Sequence, residues 1–153
     1  MPEICNLTDD MIKNVRRALI VPSGQSACTI EAVLSSPSLN DIITSIENWE
    51  QPSNMIRIRL LPGDVQINEE QKESNAGVYC SHSYSITVQP NQLENKEILN
   101  SFTNRKVLLF LFTTHETYLI GCNEQPLKIF HKEYTTYYTV TLSADTYFFA
   151  LRN

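Results

Sequence analysis

The sequence has only four glycines in 153 residues, and none falls in a spacing that cradles phosphate. There is no GxGxxG, no P-loop lysine motif and no GxSxG, so nucleotide-binding loops and nucleophile elbows have no anchor here. The four cysteines, Cys5, Cys28, Cys80 and Cys122, stand singly, with no CxxC among them. Zinc sites bring their ligands in close pairs, so reduced thiols buried as small apolar side chains are the plain reading, with a disulfide or a metal as alternatives. The three histidines, His82, His115 and His131, form no HExxH or other ligand spacing. Long apolar runs are missing too. The longest, Val107 to Phe112, has the length of a strand, far short of the roughly 20 residues that span a bilayer. Met1-Pro2-Glu3-Ile4-Cys5 lacks the basic start and apolar core of a signal peptide, which predicts an intracellular product. Positive charge is also scarce. A net charge of −5 and a pI of about 5.1 argue against a surface that grips nucleic acid through its phosphates, though not against one that DNA slides past.

What is present is a globular composition, 42% hydrophobic and 19% charged, in a length that suits a single domain over residues 1–153. Ser, Thr, Asn and Gln fill the gap left by charge, as they do on the outward faces of sheets.

Alternation dominates the chain. Ile56, Ile58 and Leu60 face one way and Arg57 and Arg59 the other, a half-buried strand that Pro62-Gly63 ends. Val78, Cys80, His82, Tyr84, Ile86 and Val88 share one face of a longer strand. Val107–Thr113 is nearly all apolar, as a strand buried on both faces would be, with Tyr118–Gly121 as its hairpin partner. Leu127–Phe130, Tyr137–Leu142 and Thr146–Leu151 add further strands. Cys28–Leu34 also reads as a strand, and Asp41–Ile46 as a short strand or a turn of helix. Residues 7–20 are ambiguous between a short helix capped at Thr8 or Asp9 and a strand beginning at Arg17. After Pro90 the period changes. Asn91 with Glu94 has capping-box spacing, and Leu93, Ile98, Leu99 and Phe102 share a helical face, which predicts a helix over about 92–103. The sum is a mainly β domain of about eight to ten strands, a β-sandwich or barrel with one flanking helix.

No catalytic or cofactor-binding set emerges, and the expectation is a protein that is not an enzyme and carries no cofactor. Cys80 and His82 lie two apart on one strand, which places thiol and imidazole on the same face. Their apolar and aromatic neighbours favour a core role. Glu69, Glu70 and Glu73, with Lys72 among them and Asp64 nearby, occupy a polar stretch over about 64–77. They form either a solvated loop or an arm that orders against a neighbouring subunit. The late aromatics, Tyr134, Tyr137, Tyr138, Tyr147, Phe148 and Phe149, exceed what one sheet face buries. Some would then serve as contact residues.

The segments Ile4-Cys5-Asn6-Leu7-Thr8, Ile43-Thr44-Ser45-Ile46 and Tyr118-Leu119-Ile120-Gly121, followed by Leu127 and the strand from Tyr137 to Leu142, resemble small structural proteins of phages and prophages of Bacteroides-type bacteria. The order of elements resembles the tail-tube fold. That resemblance implies a β-sandwich or barrel with a helix on its flank and a hairpin arm. It implies a tail-tube, neck-ring or tail-completion subunit that joins copies of itself, in a ring that is commonly hexameric, or other virion proteins. It further implies a lumen that passes DNA without specific binding, no membrane partner, and a virion component made in the cytoplasm of a bacterial host. The sequence departs from the pattern over residues 7–25, where a glycine-rich run is missing. The alternatives are a monomeric small-ligand-binding β-barrel with Tyr84, His82 and Trp49 lining its pocket, and an enzyme using Cys80 with His82.

Overall fold

The computed structural model describes residues 3–5, 9–24, 26–49, 55–74, 77–92, 98–102, 105–144 and 150–152. Ten strands join one antiparallel sheet: β1 (Glu3–Cys5), β2 (Arg17–Pro22), β3 (Ile56–Arg59), β4 (Val65–Ser74), β5 (Gly77–Val88), β6 (Lys106–Phe112), β7 (Thr117–Ile120), β8 (Leu127–Glu133), β9 (Tyr138–Ala144) and β10 (Ala150–Arg152). Four short helices accompany them: α1 (Asp9–Ile12), α2 (Ile30–Ser35), α3 (Leu39–Trp49) and α4 (Ile98–Phe102).

The sheet branches at β6. One edge of β6 pairs with β2, which in turn carries β3. The other edge pairs first with β8 at Lys106 and Val107, then with β7 from Leu109 to Phe112. One branch continues through β7, β10 and β1, and the other through β8, β9, β5 and β4. The second branch packs its inner face onto the first as a sandwich. Tyr84, Ile86, Val88, Ile129, Val140 and Leu142 meet Ala18, Ile20, Ile56, Ile58, Leu109 and Leu111 in one buried cluster. On the outer face of the first branch lies a second cluster, where Leu19, Val21, Leu108, Phe110 and Leu119 meet the helices. The layers are therefore helix, sheet, sheet. The central strand β6 is covered on both sides, and its residues 107 to 111 are all buried. An unbroken apolar run is what such a position demands.

Local chemistry explains the helical layer, where one expectation is corrected and one alternative is decided. Residues 28–34 are not a strand: Thr29 caps α2, its hydroxyl accepting from the Ala32 N–H at 3.1 Å. The segment 41–46 lies inside α3, the longest helix described. Leu39, Ile42, Ile43 and Ile46 fall at helical spacing, and all four are buried against the sheet. The Ser38 hydroxyl accepts from the Asp41 N–H at 3.2 Å, which caps that helix. The isoleucine pair resembles a strand in isolation, but the 3.6 period decides. The flanking helix expected over 92–103 is described as one turn, α4, after a 3-10 turn at Pro90–Gln92; residues 93–97 and 103–104 lie outside the described residues. Leu99 and Phe102 are buried in the sandwich core, as their shared face required. Of the two readings of residues 7–20, the helix holds only for the single turn α1, and the strand from Arg17 holds as β2, which includes Leu19; residues 7 and 8 lie outside the described residues. Among the described residues no helix is long and apolar enough to cross a membrane.

Candidate functional site

Two features stand out from the packed body. The first is the β4–β5 hairpin. Val65 pairs with Ile86, Ile67 with Tyr84 and Glu69 with His82, so the base of the hairpin belongs to the sandwich. On its far side β5 pairs with β9, but only from Val88 back to His82, which faces Ala144. Beyond that point Glu70–Ser74 and Gly77–Ser81 pair only with each other among the described strands. Five paired residues at about 3.3 Å each make a two-stranded ribbon roughly 17 Å long. The outer edge of β4 has no partner among the described strands.

The polar stretch read as an arm is therefore a β-ribbon rather than a loop. Glu70, Lys72 and Glu73 lie in its projecting part, and Glu69 sits at its root opposite His82. Their side chains lie outside the described residues. Asp64 is separate from them. It closes the turn before β4, where its carboxylate accepts from the Leu61 N–H at 2.8 Å and its own N–H donates to the Leu61 carbonyl at 3.1 Å. Gly63, at φ +86°, supplies the left-handed residue that this turn needs.

The second feature is an open cleft of about 360 Å³ between β2, β3, the end of β6 and helix α3. Arg17, Arg57 and Arg59 line it together with Phe112, Asn40 and Thr44. Register puts the arginines there. Arg17 faces Arg59 and Leu19 faces Arg57 across the β2–β3 pair, so all share the face turned to the helices. Three of the six arginines in the chain thus meet at one spot. Arg57 reaches Glu47 at 3.5 Å, a half-exposed pair worth at most about 1 kcal/mol. The Arg17 guanidinium lies 5.1 Å from the centre of the Phe112 ring. Glu47 is the one carboxylate among the lining residues. Alternation had marked Arg57 and Arg59 as the polar face of a strand. It had not shown that Arg17 would join them, because that depends on a pairing 42 residues apart along the chain.

The other candidates take structural positions. His82 and Tyr84 are buried, Tyr84 within the sandwich core. The side chains of Cys80 and Trp49, and residues Tyr147, Phe148 and Phe149, lie outside the described residues. His115 is exposed in the β6–β7 turn, where the Thr113 hydroxyl accepts from the His115 and Glu116 N–H groups at 3.3 and 2.9 Å. His131 is half-buried on β8. Tyr134 and Tyr137 stack at 4.7 Å in the β8–β9 turn, with Lys132 over Tyr134. Cys28 and Cys122 are buried free thiols. No group of three or more His, Cys, Asp or Glu residues that could hold a metal occurs among the described residues.

No family model, curated protein or solved structure matches the chain.

Proposed function

We propose that this protein is a structural subunit that works by assembly, in a phage virion, as a tail-tube, neck-ring or tail-completion component. The observation that carries the assembly reading is the projecting part of the β4–β5 ribbon, Glu70–Ser74 with Gly77–Ser81. Beyond His82 its two strands pair with each other and with no other described strand. The outer edge of β4, which no described strand pairs, offers a row of N–H and C=O groups that another strand can pair. The sequence Glu69-Glu70-Gln71-Lys72-Glu73 keeps that edge charged, which discourages unspecific pairing until a matched partner arrives. The virion setting is supported by the resemblance in segment order. A net charge of −5 suits a ring through which DNA moves without adhering.

The test shortens the ribbon without touching the core. Val65 and Ile67 pair with Ile86 and Tyr84 in the sandwich, so a deletion must begin beyond them. Replacing residues 71–80 by Asn-Gly joins Glu70 to Ser81 through a two-residue hairpin turn and preserves the register below it. The native chain is expected to form rings or short tubes in negative-stain images. The shortened chain is expected to stay dispersed. Rings from the shortened chain would overturn the proposal.

A further inference from the structure

We infer that the arginine cleft, with the adjacent edge of β3, is the receiving surface for the acidic ribbon of a second copy of this chain, an inference that rests on the assembly reading above.

Three observations converge on it. Arg17 and Arg59 are directly opposed across two strands. Like charges in that position destabilise a sheet, and no carboxylate among the described residues pairs with either. Beside them stand the Arg17–Phe112 cation–π contact and the half-exposed Arg57–Glu47 pair. An incoming carboxylate turns this local cost into an attraction. Next, β3 pairs with β2 on one side only, and no described strand pairs with its other edge. The strand that presents Arg57 and Arg59 is therefore also an edge among the described strands. Finally, the two surfaces match in size and charge. Ile56–Arg59 offers four residues of edge, and Glu70–Ser74 offers five residues whose outer edge no described strand pairs. The cleft carries three arginines and Glu47, a net +2, against a net −2 over residues 69–73.

Strand addition fixes the register through main-chain hydrogen bonds, and the charge pairs choose the partner. Because ribbon and cleft are different patches of one molecule, the contact is head to tail. It closes into a ring or continues as a filament according to the rotation between copies.

Two variants of the full chain test this by complementation. One has the shortened ribbon described above, with its cleft intact. The other carries Arg17→Glu and Arg59→Glu, with its ribbon intact. Circular dichroism checks that both fold, and Arg59→Gln serves as a milder cleft variant, expected to weaken association about tenfold. Alone, each variant, defective on one side only, should stay a monomer, of about 17.5 kDa for the cleft variant and slightly less for the shortened chain. Mixed, one intact ribbon meets one intact cleft, and a species of twice that mass should appear in sedimentation. It should weaken as salt rises and the charges are screened. If the cleft variants assemble like the native chain while the ribbon variant does not, the cleft is not the receiver and the assembly reading stands. If both variants are monomeric and the mixture stays so, ribbon and cleft do not meet. If the native chain itself never associates, both this inference and the assembly reading fall.

Discussion

The carbonyl of Cys28 accepts a hydrogen bond from the N–H of Asn123 at 2.9 Å, although the two residues are far apart in sequence. Around this bond the Asn123 side chain accepts from the Gly24 N–H and the Glu124 carboxylate accepts from the Ile30 N–H, each at 2.8 Å. Ile30 opens α2 directly after its cap, so Glu124 satisfies one of the donors that a helix start leaves unpaired. The turn after β7 thereby fastens the helical layer to the sheet. Replacing Asn123 with Ala removes the Gly24 partner and should cost about 1 kcal/mol in urea unfolding.

Glu124 gives this anchor a pH signature. Accepting from Ile30 holds its carboxyl below the usual glutamate value. A depressed native pKa means the unfolded state takes up protons first, so the stabilisation is present above the ordinary value and fades as pH falls through the native one. The melting temperature of the native chain should therefore fall more between pH 6 and about pH 3.5 than that of Glu124→Gln. Equal slopes in the two proteins would show that the carboxylate contributes nothing.

The buried thiols make the opposite prediction. Burial, with a smaller contribution from Cys122, pushes the Cys28 thiol up to about 12, and burial also raises Cys122. A raised native pKa means the folded state holds its proton longer. Stability is complete below about 9 and declines as pH climbs from there toward 12. Both thiols should resist iodoacetamide at pH 8 in the native protein and react after unfolding in urea, because only the thiolate attacks. Mass spectrometry of the labelled peptides reads the result.

Gly121 has φ +89°, and a Cβ there would meet the Gln125 carbonyl at 3.2 Å and Leu108 at 3.3 Å. Gly121→Ala combines left-handed strain with crowding and should cost more than about 1 kcal/mol. On β6, Leu109→Ala opens the sandwich core at about 2–5 kcal/mol, and Phe110→Ala opens the helical interface at about 3–5 kcal/mol. Substantial losses at both neighbours would verify that β6 is buried on two faces.

Period was the legible part of this sequence. Alternation located β3 and β5, and an unbroken apolar run marked β6 as central. The helical layer was less legible because Ile42, Ile43 and Thr44 are β-branched, and their propensity points to a strand until Leu39 and Ile46 are counted with them. Thr29 reads as part of a strand until its role as a cap is recognised. The acidic stretch was legible as a hairpin arm or a loop but not decided between them, since charge masks the strand signal of Val65–Ser74. The cleft lay beyond local reading altogether. Arg17 meets Arg59 only once β2 and β3 have paired in one register, and a slip of one residue would send the arginines to the core face.

Light scattering across a concentration series weighs the central claim most directly. Native chain should rise above 17.5 kDa toward an integral multiple as concentration increases, while the chain with residues 71–80 replaced by Asn-Gly remains at one chain. Identical masses for the two proteins at every concentration would contradict the claim that the ribbon holds the assembly together.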